Sequence, residues 1–181
     1  QMVATAAQIV ANREAALLRL AQAQAGAQTV FPQADLELIS PDGDPQAHDF
    51  AVVLAQGRRR DMAAGRTLSG PHRVDLSAVY AAKATRADQC STGEQKALLI
   101  SLILANARAL TAELGAAPIL LLDEVAAHLD PTRRAALYDE LCALGAQALM
   151  TGTEAALFEQ LEGRGQNVLV TDENGVSRIV G

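Results

Sequence analysis

A chain of 181 residues that is 50% hydrophobic has apolar material for one ordinary domain or two small ones, which excludes wholesale disorder. Only 3% of it is aromatic and there is no Trp, so the apolar share is mostly Ala and Leu; this suits helices on an aliphatic sheet and argues against a base-stacking platform. The net charge of −6 excludes a uniformly basic nucleic-acid binder, and two cysteines, Cys90 and Cys142, make no disulfide framework.

In chain order, 1–26 reads as a helix, with Val3, Val10 and Leu17 at seven-residue intervals and Gly26 as its stop. A short strand follows at 36–40, a turn at 41–45 and a helix at 46–63 with Phe50, Val53 and Leu54 inward. Residues 73–80 alternate and read as an edge strand. From 91 the pattern sharpens into helix 91–113, strand 118–123, helix 131–144, strand 146–150, a short helix at 154–161 and strand 167–171. Asn174-Gly175 then turns the chain into a last strand at 176–180. Alternating strands and helices predict an α/β fold with a largely parallel sheet. No apolar run approaches the ~20 residues of a membrane helix, the richest being 97–104, and no charged-then-apolar leader opens the chain. The expectation is a soluble cytoplasmic protein, and the Gln1 start suggests a piece of something longer.

Three places could carry chemistry. The aliphatic run 119–122 suits a strand buried on both faces and ends in Asp123 and Glu124, at the carboxyl end where open α/β sheets bind ligands. That is the Walker B pattern, with Asp123 holding Mg²⁺ through water and Glu124 orienting or deprotonating the attacking water. A buried strand must also end in polar residues, and such a pair meets that need with no further role. Ser91-x-x-Glu94 opens the long helix as a capping box, which suffices structurally; the same Gly-containing helix start suits a phosphate. Asp130-Pro131 is a helix cap followed by a first-turn proline.

Order and spacing join the three. A helix of ~20 residues spans about 30 Å and a strand of about 20 Å returns beside it, so both motif-bearing ends are expected on one side. The succession of a capping Ser-x-Gly, an aliphatic strand with Asp-Glu, and Leu-Asp resembles the signature, Walker B and D-loop of ABC-type ATPases. Within that superfamily the chain resembles the carboxyl-terminal half of the RecF family, bacterial ATPases of DNA replication and recombinational repair. The residues that carry this are Gly70-Pro-His-Arg-Val-Asp75, Ser91-Thr-Gly-Glu-Gln-Lys96 and Met150-Thr-Gly-Thr153. The resemblance is clear over 58–181 and weaker over 1–57.

The resemblance implies an ABC-type ATPase head portion: a largely parallel sheet flanked by helices, closed by a C-terminal β-hairpin, with an N-terminal helical segment. Residues 1–63 would form a helical arm and 64–181 the ATPase subdomain. Ser91 and Gly93, with Thr92 and Glu94 beside them in the signature, would contact the γ-phosphate of ATP held by an opposite protomer. Asp123 would hold Mg²⁺, Glu124 would be catalytic, Asp130 would be the D-loop residue, and Thr151 stands where many ABC proteins place a switch His. ATP would glue a homodimer that clamps DNA, and hydrolysis would release it, in gap repair and the SOS response alongside other recombination mediators. No G-x-x-x-x-G-K-[ST] occurs, so the 181 residues are expected neither to bind nor to hydrolyse ATP alone. A non-catalytic ABC-like dimerisation module and the head of another SMC-like repair ATPase are the alternatives.

Arg58, Arg59, Arg60, Arg66 and Arg73 against Asp61 give 58–73 a local +4 inside a −10 remainder. Clustered arginines suit DNA phosphates, whereas Arg58–Arg60 also read as a solvated helix end that favours cations. His48, His72 and His128 are scattered and form no zinc pattern, and Ser91 has no His partner for a nucleophile.

Overall fold

The structure is a computed structural model and describes residues 2–40 and 50–180. The chain divides into two compact units, Gln1–Pro118 and Ile119–Gly181.

In the first unit α1 (Met2–Ala25) packs along α3 (Thr92–Leu114). The buried positions of α3 are Ala97, Leu98, Ile100, Ser101, Leu104, Ala105 and Ala107, spaced at three, four and seven residues as one helical face requires. Small residues dominate that face and allow a close approach. An exposed ion pair joins Arg19 to Glu113 at 3.0 Å, a contact of the kind worth about 0–1 kcal/mol. The expectation about apolar runs needs correcting, because α3 as a whole is long and apolar enough to cross a membrane by length and composition. Its capping box and its buried face on α1 read it as the core helix of this unit.

A three-stranded antiparallel sheet completes the unit: β1 (Ala34–Ile39), β2 (Asp75–Tyr80) and β3 (Thr85–Arg86), in that order. Residues 73–80 read as an edge strand, yet β2 is central. Six of its residues pair with β1, and the two-residue β3 covers part of its other side. A strand of two residues has no readable alternation, so this flank is invisible in sequence. Gln24, only 5% exposed, ties α1 to this sheet. Its Nε2 donates to the Ala34 carbonyl at 3.2 Å and its Oε1 accepts from the Ala34 N–H at 2.9 Å, so the buried amide is satisfied as a strand would satisfy it.

The turn at 41–45 and the start of the helix at 46–49 lie outside the described residues. The rest of that helix is α2 (Phe50–Ala64). It ends in a Schellman arrangement in which Gly65, in the left-handed region at φ 65°, donates to the Met62 carbonyl and Arg66 N–H donates to the Asp61 carbonyl.

In the second unit β4 (Leu120–Leu122) and β5 (Ala148–Met150) pair in parallel, Leu121 opposite Leu149, through α4 (Pro131–Leu144). A β-α-β crossover of this kind needs the intervening helix to carry the chain back. Among the described residues parallel pairing is confined to these two strands; the hairpin β6 (Leu169–Glu173) and β7 (Val176–Val180) is antiparallel and separate. Asn174 and Gly175 have φ of 56° and 80°, the two positive values that a tight hairpin turn needs. The segment expected as a short helix at 154–161 is a 3-10 helix over Ala155–Leu161. The Tyr138 hydroxyl, in a side chain with no exposed surface, donates to the Leu157 carbonyl at 2.8 Å and fixes that segment to α4. Burial pushes the Tyr138 hydroxyl pKa up, which keeps it a neutral donor.

The strand carrying the carboxylates is not buried on both faces. Leu120 and Leu122 are buried while Leu121 is 74% exposed, and Ile119 and Leu149 are exposed too. An aliphatic run satisfies a one-sided strand as well as a two-sided one, so composition alone does not separate them.

Candidate functional site

The carboxyl end of β4 holds three chemistry-bearing residues together. Thr151 follows β5, and its N–H donates to the Leu122 carbonyl at 3.1 Å, extending the parallel ladder by one bond. That bond sets the Thr151 hydroxyl between the two acids. It donates to Asp123 Oδ1 at 2.5 Å and accepts the Glu124 N–H at 2.9 Å. Both partners directly follow β4, as Thr151 follows β5, so the hydroxyl ties the ends of the two strands together. Glu124 itself is held at φ 53°, in the left-handed region, which for a non-glycine residue costs on the order of 1–3 kcal/mol. Such strain persists where surrounding bonds over-determine it, and the Thr151 bond to the Glu124 N–H is one of them. Gly152 comes next. A Cβ there would meet the Phe158 ring at 2.9 Å, so a side chain after Thr151 would push against the Ala155–Leu161 helix.

With Oδ1 committed to Thr151, Asp123 keeps Oδ2 outside any hydrogen bond among the described residues. Among those residues no three His, Cys, Asp or Glu side chains cluster as a complete metal cage. A carboxylate with an open oxygen beside a second carboxylate fits Mg²⁺, which keeps several waters and takes one or two protein carboxylates together with substrate phosphates. It does not fit a metal held by protein alone. Asp130 caps α4, its Oδ1 accepting the Arg133 N–H at 3.0 Å, with Pro131 behind it; the helix-start reading accounts for its geometry in this chain.

The other group of expected residues lies in the first unit. Ser91 caps α3: its Oγ accepts the Glu94 N–H at 3.4 Å and donates to Glu94 Oε2 at 2.7 Å, while the Ser91 N–H donates to the same oxygen at 2.9 Å. Lys83, which sequence patterns do not single out, closes the arrangement through an ion pair with Glu94 and stands over the Tyr80 ring. No spacing rule links residues eleven apart across a turn, so only the fold brings Lys83 here. The Lys83 ammonium foremost, then the Ser91 hydroxyl and N–H, hold the Glu94 carboxyl down from 4.5 to about 2. Glu94 thereby supports the fold above its unfolded value near 4.5 and loses that support as pH falls towards about 2. We expect the unfolding midpoints of wild type and Glu94→Gln to converge across that window in denaturant titrations; a constant difference would contradict the pairing.

Gly93 sits in the first turn of α3 with nothing within 4 Å of a Cβ built on it. Helical glycine costs up to about 1 kcal/mol relative to Ala, and the packing of this chain does not require it. Among the described residues no acceptor meets the N–H groups of Thr92 or Gly93, which therefore face outward bare.

Of the arginines, Arg58, Arg59 and Arg60 lie exposed along α2, which continues to Ala64, so its last turn holds no cation and the helix-end explanation for them fails. Arg66 and Arg73 meet at one cleft with Thr67 and His72.

Against known families, residues 44–152 match the model described as "AAA domain, putative AbiEii toxin, Type IV TA system". The chain belongs to this AAA-domain family. Its curated relatives include the DNA replication and repair protein RecF of Rhizobium johnstonii, 51% identical over 150 residues, covering 78% of this chain and 40% of that protein. The RecF of Brucella abortus is 65% identical over 119 residues, covering 65% of this chain and 31% of it. The matched part of the chain thus spans 31–40% of the length of these RecF relatives, and it is a partial RecF homologue. Among solved structures, the recombination mediator protein RecF with ATPrS superposes with TM-score 0.64 at 19% identity, over 97% of this chain and 47% of that one. An Smc head bound to the C-winged helix domain of ScpA superposes at 0.53 and 19%, over 92% of this chain and 42% of that one. These neighbours establish the α/β fold of an ABC-type ATPase head portion.

Proposed function

We propose that this chain supplies the signature, Walker B and D-loop elements of a RecF-like ATPase of DNA replication and recombinational repair. The observation that carries the reading is Thr151, whose hydroxyl bonds Asp123 and the Glu124 N–H together at the end of β4. In this reading Asp123 offers its open oxygen to Mg²⁺, Glu124 prepares the attacking water, and Thr151 couples the two. Ser91, Thr92, Gly93 and Glu94 receive the γ-phosphate of ATP held by a second protomer. The bare N–H groups at the start of α3 and the open space at Gly93 favour this, because a helix N-terminus stabilises negative charge. Asp130 serves as the D-loop residue. Phosphate-cradling residues come from a Walker A segment that does not occur in these 181 residues. The exposed Ile119, Leu121 and Leu149 beside the carboxylates give further strands of the same head a surface to cover.

The proposed cycle is ATP-dependent homodimerisation on DNA and release by hydrolysis, in the cytoplasm, serving gap repair and the SOS response with other recombination mediators. A RecF-type Walker A half joined to this chain tests it. ATP and Mg²⁺ are expected to convert monomer to dimer in sedimentation experiments, and Ser91→Arg is expected to abolish the dimer while ATP still binds. A dimer that forms equally without nucleotide, or that survives Ser91→Arg, would sink the composite site.

A further inference from the structure

The segment 66–73 builds a cleft whose cations are unspent. A space of about 400 Å³ is lined by Arg66, Thr67, His72 and Arg73, all exposed, with no carboxylate among them. Elsewhere in the chain Arg19, Arg86, Arg133, Arg164 and Arg178 each pair with an acid. Among the described residues Arg66 and Arg73 have no such partner, as is also true of Arg58, Arg59 and Arg60 on α2; what sets Arg66 and Arg73 apart is that they share one cleft. Asp61, the one acid within 58–73, is occupied otherwise: its Oδ1 accepts the Leu68 N–H at 3.0 Å.

The walls are fixed in advance. Gly70 lies at φ 148°, a conformation that L side chains rarely adopt, and a Cβ there would come within 3.1 Å of His72 Nδ1 and 3.2 Å of Phe50 Cζ. The Arg73 N–H donates to the Gly70 carbonyl at 2.8 Å. Arg13 of α1 donates to the Pro71 carbonyl at 2.5 Å. The His72 ring donates from Nε2 to the Thr67 carbonyl at 3.1 Å, since a carbonyl only accepts. The Gly70-Pro-His-Arg73 segment is therefore a held turn that places Arg73 at the same cleft as Arg66, and a cleft ordered before binding loses less entropy on binding.

We propose that this cleft binds a phosphate group, and that its source is the backbone of duplex DNA. Two guanidiniums and the Thr67 hydroxyl are donors suited to a phosphate, and the space exceeds what a single free ion fills. The choice of DNA as the source rests on the repair-protein reading; the phosphate site itself does not, and its test needs neither ATP nor hydrolysis.

The experiment is anisotropy of a labelled duplex titrated with the 181-residue chain at several salt concentrations, folding being checked by far-UV circular dichroism. The double variant Arg66→Ala/Arg73→Ala is expected to bind at least about tenfold more weakly. Its slope of log affinity against log salt is expected to be smaller by about 1, since the one phosphate left without its arginines removes about 0.9 from the slope. Arg66→Lys/Arg73→Lys is expected to keep the slope, and Arg58→Ala/Arg59→Ala to weaken binding less than the cleft variant does. An unchanged slope in the cleft variant, or equal weakening in the α2 variant, overturns the proposal. Inorganic phosphate titrated by NMR is expected to shift the Thr67 and His72 amides of wild type. Such shifts without duplex binding overturn DNA as the source.

Discussion

Glu124→Gln is expected to lower ATP turnover of the complete, Walker A-bearing protein by about 10²–10⁴-fold, the range that a positioned proton acceptor contributes. The dimer formed with ATP is expected to persist in the variant. Gln keeps the size of the side chain, and the backbone N–H still reaches the Thr151 hydroxyl, so the φ of 53° is still held by the same bond. What Gln lacks is basicity: an amide cannot take a proton from water near neutral pH. The lesion therefore falls on the chemical step and spares the nucleotide-held contact between protomers. Rapid-quench turnover alongside sedimentation separates the two. Turnover within about twofold of wild type would remove Glu124 from the reaction and leave a non-catalytic dimerisation module in its place.

The parts of this molecule that are legible in sequence are those governed by local rules. The capping box at Ser91 and Glu94, the Asp130-Pro131 helix start and the Asn174-Gly175 turn all form as their residues demand, because each is settled within a few positions of the chain. The pairing of Lys83 with Glu94, the Gln24 amide acting as a strand partner for Ala34, and the central place of β2 depend on segments brought together by the fold. Periodicity carries no information about them. The carboxylate pair is visible in sequence as Asp123-Glu124, yet its geometry is not: the left-handed Glu124 and the shared hydroxyl come from the parallel register of β4 with β5. Thr151 stands out in sequence only as a residue in the place of a switch His; its bonds to Asp123 and to the Glu124 N–H are visible only in the fold. The Gly70-Pro-His-Arg73 segment has no mechanical meaning in sequence and acquires one from Phe50, Thr67 and Arg13.

Thr151→Val is the second decisive substitution, with an expected drop of about 10–100-fold in turnover, as for other groups that orient a metal-binding carboxylate. Val matches Thr in shape and β-branching, so the end of β5 and the bond from the residue 151 N–H to the Leu122 carbonyl survive. What disappears is one donor to Asp123 Oδ1 and one acceptor for the Glu124 N–H. Asp123 is then free to swing its carboxylate, and the strained Glu124 backbone loses a bond that holds it left-handed. Both acids are exposed or half-buried, so water can replace the missing partners and the fold is expected to lose little stability. Geometry suffers instead. A raised Mg²⁺ requirement should accompany the fall in turnover, because the carboxylate no longer points one way. Thr151→Ser, which restores the hydroxyl without the methyl, is expected to recover most of the activity. If Val and Ser behave alike, or if the Val variant needs no more Mg²⁺ than wild type, the hydroxyl does not couple the two carboxylates.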